Sequence, residues 1–220
     1  MSPNTFSSER AAKVNWLSGL EAFLVFSLIL TYIWWLRFHH PLSWIPMLGL
    51  VIASHAYHHE TFEALGFRWN GTPRMLAEFS VALGAIALLT LSAGFEFGTI
   101  RPIGWEGVIV SLALYCGWGL FQQYLLNGYF VNRFRAFMPN RAGGSVSTAA
   151  ALLFSLAHAP NWFLMVVTFA GGYLCARIYL RHRNLYSLGM AHGVVGFLIY
   201  LAVPDTISHH LYVGPKWFSM

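Results

Sequence analysis

The stretch YCGWGLFQQYLLNGYF, from Tyr115 to Phe130, places three carboxamides inside a run that is otherwise typical of a membrane-spanning helix. In a helix, Gln123 and Asn127 are one turn apart on one face, and Gln122 lies beside them. Polar side chains at membrane depth are costly and must meet a partner or water. The stretch therefore predicts a transmembrane helix whose polar groups find partners inside a helical bundle.

The composition of the whole chain agrees with a membrane location. Of the 220 residues, 57% are hydrophobic and only 10% are charged, whereas a soluble domain averages about 25% charged residues. The length suits one bundle, so we predict a single membrane domain over residues 1–220. The formal charge of +5 comes from basic residues scattered through short connections. They form no basic patch, which argues against a nucleic-acid partner.

Seven apolar runs are each long enough, or nearly so, to cross the roughly 30 Å hydrocarbon core of a bilayer. We therefore predict an all-α, multi-pass transmembrane bundle of about seven helices. The runs cover residues 16–37, 41–57, 76–95, 104–130, 142–159, 161–180 and 184–204. In the last of them, Gly189 and Gly193 form a GxxxG pair, which predicts close packing against another helix.

Lysine and arginine are distributed unequally between alternate connections. Ten lie on the side of the N-terminus and three on the other, and this excess predicts that the N-terminus is cytoplasmic. The larger group consists of Arg10, Lys13, Arg68, Arg74, Arg133, Arg135, Arg141, Arg177, Arg181 and Arg183. The smaller group consists of Arg37, Arg101 and Lys216.

Two further polar groups occupy later runs. His158 lies near the end of the fifth run, one turn beyond Phe154. His192 lies in the seventh run, one turn before Gly196, which leaves open space beside the ring. Taken singly, each group is explained by packing or by an interhelical hydrogen bond worth about 0.6 kcal/mol. Three polar groups on three helices of a small bundle satisfy one another only by converging, so we predict a shared polar pocket.

The same residues, in the same order, resemble the three motifs of the CPBP family. This family contains the intramembrane proteins related to type II CAAX prenyl endopeptidases and to bacteriocin-processing or immunity proteins. Its motifs on successive helices are EExxxR, FxxxH, and HxxxN or HxxxD. In this chain, FQQYLLN places Gln122 and Gln123 at the two Glu positions and Asn127 at the Arg position. FSLAH matches the second motif through Phe154 and His158. HGVVG keeps His192 of the third motif but has Gly196 in place of Asn. With LGFRW at 65–69, the resemblance covers roughly residues 60–205.

The resemblance implies that a glutamate of the first motif activates water in the family's proteases, with assistance from the motif histidines. An amide cannot accept that proton, so Gln122 and Gln123 keep the size and hydrogen-bonding capacity of glutamate without its basicity. Asn127 likewise lacks the cation that would compensate a buried carboxylate. We therefore predict a CPBP-like protein of a bacterial cytoplasmic membrane that lacks the usual general base.

Two functional hypotheses follow. The first is a non-proteolytic scaffold or binding subunit in contact with membrane lipids. It would hold a membrane protein partner, a lipidic or prenylated ligand, or a pigment-like cofactor of unknown identity. The second is an endopeptidase with altered chemistry, in which His158 or His192 is the base and the two glutamines are oxyanion donors, or in which another acid replaces the missing one. The candidate acids are Glu21, Glu78, Glu96 and Glu106.

A different enzyme class is suggested by the segment SHAYHHE. Its residues His55, His58 and His59 form an HxxHH arrangement like one histidine box of membrane di-iron enzymes. Two other histidine pairs fall on the opposite side of the predicted bundle, too distant to share one metal ion. These pairs are His39-His40 and His209-His210. We therefore predict no metal site and interpret the histidines as interfacial residues at helix ends.

Overall fold

Every one of the seven predicted apolar runs is helical. The computed structural model describes residues 14–69 and 72–219, and no strand occurs in these ranges. The all-α fold class is therefore confirmed. The long helices are α1 (Trp16–His39), α2 (Trp44–Tyr57), α3 (Thr72–Glu96), α4 (Trp105–Phe137), α5 (Gly143–Leu156), α6 (Trp162–His182) and α7 (Leu185–Ala202). Short helices cover Phe62–Leu65 and Asp205–Ser208, and 3₁₀ turns cover Pro41–Ser43, His209–Leu211 and Gly214–Ser219.

The helices differ in whether they are long enough to span a bilayer. Five of them, α1, α3, α4, α6 and α7, have the length and apolar composition of membrane spans. Helices α2 and α5 have 14 residues each, which gives about 21 Å at 1.5 Å per residue and falls short of the roughly 30 Å core. The run predicted at 142–159 is thus shorter as a helix, because residues 157–161 form the turn that carries His158.

Helix α4 is not uniform along its length. It is α-helical from Trp105 to Gln123, π-helical over Tyr124–Val131 and α-helical again from Asn132. Single π-helical segments inside α-helices occur frequently at functional sites. All eight residues of 126–133 are buried, so the π segment turns its residues into the bundle. It begins directly after the two glutamines of the first motif.

The predicted close packing of the GxxxG pair is confirmed. Helix α7 packs along α4 and also against α3. A Cβ added at Gly189 would lie 2.6 Å from Cα of Leu120, and one added at Gly193 would overlap the backbone of Cys116. From α4, a Cβ on Gly119 would lie 2.7 Å from the carbonyl oxygen of Gly189. The two backbones are in contact one turn away from Gln123.

The connections that were predicted to share one side of the membrane meet one another. Arg68 donates hydrogen bonds to the carbonyl oxygens of His182 and Arg183, and the amide of Asn15 donates to Ala136. The grouping of these connections agrees with the charge count, although Arg10 and Lys13 of that count lie outside the described residues. Which compartment each end faces stays a prediction.

A buried ionic cluster joins α1, α2 and α4. Arg133 is only 2% exposed and lies 3.0 Å from a carboxylate oxygen of Glu21 and 2.7 Å from one of Glu60. His55 donates to Glu60 at 2.7 Å, and His58 donates to Glu21 at 3.0 Å. These two histidines lie at the C-terminal end of α2, as predicted for residues at a helix end, and their position at the membrane interface stays a prediction. His55 is buried, and both side chains are hydrogen-bonded to carboxylates inside the protein, whereas His59 is exposed.

The cluster makes stability depend on pH through Glu60. Burial acts to raise the pKa of Glu60, but the hydrogen bonds from His55 and Arg133 outweigh it, so the pKa lies below its ordinary value. A carboxyl group with a depressed pKa contributes stability above its unfolded pKa of about 4.3 and loses it as pH falls through the lower folded value.

We therefore expect the unfolding temperature in detergent to drop as the pH falls below about 4, and Glu60→Gln to reduce this dependence. Glu63→Gln is the control, because the Glu63 side chain is 70% exposed. Thermal unfolding followed at a series of pH values measures the effect. Parallel curves for wild type and Glu60→Gln would contradict the assignment.

Candidate functional site: a polar chain on the wall of an apolar cavity

The carboxamides of α4 form a hydrogen-bonded chain with the histidine of α7. The side-chain nitrogen of Asn127 donates to Oε1 of Gln123 at 2.5 Å. The amide nitrogen of Gln123 in turn lies 2.9 Å from Nδ1 of His192. Gln123 and Asn127 are fully buried. The first and third motifs therefore meet directly, at the level where the glycines bring α4 and α7 together.

The phenylalanine of the second motif lies between the two histidines. The Phe154 ring centroid is 4.9 Å from that of His158 and 5.8 Å from that of His192, both with edge-on geometry. Phe154 comes from α5, and His158 follows in the turn after that helix. The structure thus brings five of the six motif residues into direct contact.

The turn that carries His158 is fixed by the C-terminal part of the chain. Asn161 begins α6 and donates to the carbonyl oxygens of Ser208 and Tyr212 at 2.9 and 3.1 Å. The amide of Gly214 donates to the carbonyl oxygen of Ala159 at 2.8 Å. His158 is therefore held in place even though it lies outside a helix.

The two motif histidines offer opposite hydrogen-bonding groups. Nδ1 of His158 lies 2.7 Å from the carbonyl oxygen of Phe154. A carbonyl only accepts, so Nδ1 carries the proton and Nε2 is left as an acceptor. In His192, Nδ1 accepts from the amide nitrogen of Gln123, so Nε2 carries the proton and is a donor. The pair can hold a polar group that has both a donor and an acceptor.

A large cavity borders these residues. It has a volume of about 1680 Å³ and is lined by residues of all seven long helices. We call it the central cavity; its polar lining includes Gln122, His158 and His192, and most of the remainder is apolar. Leu89 and Val166 line it and are 70% and 66% exposed. The central cavity therefore opens to the apolar outer surface of the bundle.

Gln122 and Gln123 consequently have different positions. Gln122 lines the central cavity, whereas Gln123 lies behind His192 and is fully buried. The three polar clusters converge, as predicted. Their roles in any reaction stay predictions. The expected open space beside His192 is present, because His192 and Gly196 both line the central cavity; the Tyr115 ring approaches Gly196 as well, 3.0 Å from where a Cβ would lie.

The candidate replacement acids are engaged elsewhere or exposed. Glu21 belongs to the ionic cluster with Arg133, and Glu78 pairs with Arg181 and His182 at 3.3 and 2.7 Å. Glu96 and Glu106 are exposed. Within residues 14–69 and 72–219, no carboxylate is hydrogen-bonded to Gln123, His158 or His192.

Sequence reasoning missed the central cavity and the ionic cluster. The cavity has no sequence signature, since its lining comes from seven helices. A signal for the cluster was present: Glu21 and Arg133 are charges within or beside apolar runs, and such residues are expected to pair. Arg133 was instead counted only as a determinant of orientation.

Comparison with known proteins identifies part of the chain. The family model described as type II CAAX prenyl endopeptidase Rce1-like matches residues 103–198, which contain all six motif positions. No curated protein and no solved structure matches the chain. The match lies inside the predicted core of residues 60–205, whose outer limits stay a prediction. The resemblance indicated by the motifs is thereby confirmed for residues 103–198: this part of an all-α membrane protein is similar to the type II CAAX prenyl endopeptidase Rce1-like family.

Proposed function

We propose that this protein binds a lipidic ligand in the central cavity and does not cleave peptides. The observation that carries the proposal is the combination of a cavity of about 1680 Å³ with a polar site that has no carboxylate at the family's Glu positions. Pockets for drug-sized ligands measure about 300–1,000 Å³. The central cavity exceeds that range, is mostly apolar and opens where the outer surface is apolar, as a site for a membrane lipid requires.

The hydrogen bonds that link Asn127, Gln123 and His192 favour ligand binding over proteolysis. A general base must take up a proton, and the Gln123 amide is occupied by hydrogen bonds to Asn127 and His192. Nε2 of His158 is the acceptor on the cavity side, but its partner at Nδ1 is a backbone carbonyl instead of a carboxylate that would stabilise an imidazolium. We infer that the site orients a polar ligand group beside an apolar tail. Location in a bacterial cytoplasmic membrane is part of this proposal.

A cavity-filling variant tests the proposal. Gly171 lines the central cavity, and a Cβ added there meets nothing within 4 Å. Gly171→Phe is therefore expected to fill the cavity without a backbone clash. Gly117→Phe is the matched control, since a Cβ at Gly117 also meets nothing within 4 Å, and this exposed residue of α4 does not line the cavity.

The measurement is native mass spectrometry of the purified protein, with extraction and identification of retained lipid. Wild type and Gly117→Phe are expected to retain stoichiometric lipid, and Gly171→Phe is expected to lose most of it. Equal retention by all three proteins would show that the lipid lies outside the cavity and would refute the proposal.

Proteolysis is the competing function and has its own test. Cleavage of prenylated and unprenylated peptides by the wild-type protein, abolished by both His158→Ala and His192→Ala, would establish an endopeptidase with altered chemistry. We expect no cleavage by wild type. The single variant Gln122→Glu, which places a carboxylate on the cavity wall, shows in the same assay whether the missing acid is all that separates this site from a protease.

A further inference from the structure

The lining of the central cavity contains one arginine, Arg37. It follows the π-helical turn Tyr32–Leu36 of α1, and Tyr32 and Ile33 of that turn also line the cavity. One guanidinium nitrogen, Nη2, donates to the carbonyl oxygen of Val213 at 2.8 Å. The Nε atom is buried without a hydrogen-bond partner among the described residues. The guanidinium is thus incompletely satisfied at the edge of an apolar space.

Arg37 differs from the other basic residues at this end of the bundle. Arg101 forms an ion pair with Asp205, and the Lys216 ammonium lies 4.0 Å from the Tyr212 ring centroid. Arg37 contacts the ring of Phe38 but forms no ion pair with a carboxylate within residues 14–69 and 72–219. A cation in apolar surroundings favours an anionic partner strongly, because the local dielectric is low.

Hydrogen bonds place Arg37 at the same end of the cavity as His158. Arg37 donates to Val213, the next residue Gly214 donates to Ala159, and Ala159 directly follows His158. An anionic group at the guanidinium therefore lies at the end of the cavity where His158 is located. On α3, lining residues run from Phe79 to Gly94, which corresponds to about 22 Å along the helix at 1.5 Å per residue. The apolar space extends far enough from the cation for long hydrocarbon chains.

We propose that the ligand of the central cavity is an anionic membrane lipid whose phosphate or carboxylate head pairs with Arg37. This proposal rests on the proposed lipid-binding function and adds the class of headgroup. The head accepts from the Nη protons of Arg37 that the bond to Val213 leaves free, in a charge-assisted arrangement suited to an oxyanion. The acyl chains occupy the space between α1, α3 and α6.

The test compares an anionic lipid with a zwitterionic one, in which a choline cation compensates the same phosphate group. Full-length protein in detergent is exposed to equal amounts of phosphatidylglycerol and phosphatidylcholine with identical acyl chains, and native mass spectrometry gives the bound ratio. Wild type is expected to prefer phosphatidylglycerol by about tenfold, the loss of one charge-assisted contact being of this order. Arg37→Gln is expected to bring the ratio close to one.

Lys216→Gln is the matched control, since it removes an exposed cation at the same end that does not line the cavity. It is expected to keep the preference of wild type. If wild type binds both lipids equally, the headgroup proposal is overturned whether or not Arg37→Gln folds. In that case loss of lipid from Gly171→Phe still supports the proposed function. If Gly171→Phe retains lipid as wild type does, the lipid-binding function itself fails.

Discussion

Replacement of Arg133 by methionine is expected to cost about 3–5 kcal/mol of the free energy of unfolding, the range found when one partner of a buried ion pair is removed. Arg133 is 2% exposed and contacts both Glu21 and Glu60. Methionine keeps much of the volume but leaves the two carboxylates without a cation, with hydrogen bonds from His55, His58 and Ser54. Helices α1, α2 and α4 then lose their common polar connection.

Reversible unfolding in mixed detergent micelles, followed by tryptophan fluorescence, measures this loss. Arg135→Met serves as the control, because Arg135 lies on the same helix and is exposed. A change of less than about 1 kcal/mol in Arg133→Met, the value typical of surface ion pairs, would show that the cluster is solvated in the folded protein.

Replacement of Gly193 by alanine is also expected to lower the free energy of unfolding. The added Cβ would overlap the backbone of Cys116, and backbone atoms of a packed helix cannot move aside individually. Overpacking costs about 1–3 kcal/mol and occasionally more. Separation of α4 from α7 also lengthens the hydrogen bond between Gln123 and His192, so retained lipid is expected to decrease together with stability.

Gly117→Ala is the control for this substitution, because an added Cβ on that exposed face of α4 meets nothing. Alanine is favoured over glycine inside a helix by about 1 kcal/mol, so this control is expected to be neutral or slightly stabilising. Thermal unfolding and lipid content are measured on both variants. A Gly193→Ala protein as stable as Gly117→Ala would contradict the close approach of the two helices.

The hydrogen-bonded group of Asn127, Gln123 and His192 could be predicted from the sequence. The spacing of Gln123 and Asn127 on one helical face, with histidines on two later helices, predicted convergence because polar groups in a membrane need partners. The structure places Gln123 between Asn127 and His192. The helical runs were predicted for the same physical reason, since apolar length alone indicates a membrane helix.

Other features depend on geometry that periodicity does not encode. The π-helical segment Tyr124–Val131 changes which residues face the bundle, and an ideal helical wheel cannot anticipate it. The short helix α5 ends early because the turn around His158 is held by Gly214 from the far end of the chain. The headgroup contact proposed for Arg37 likewise depends on which helices surround it, and its position in the sequence indicated only membrane orientation.

Photo-crosslinking tests whether a lipid occupies the interior of this protein. A phosphatidylglycerol with a photoreactive group on its acyl tail is incorporated with the purified protein into nanodiscs, and the labelled residues are mapped by mass spectrometry. Labels are predicted on Leu125, Leu153 and Ile199, which line the central cavity. Labelling confined to outward-facing residues of α4, such as Ile109, Val110 and Leu114 at 66%, 57% and 68% exposure, would contradict occupancy of the interior by lipid.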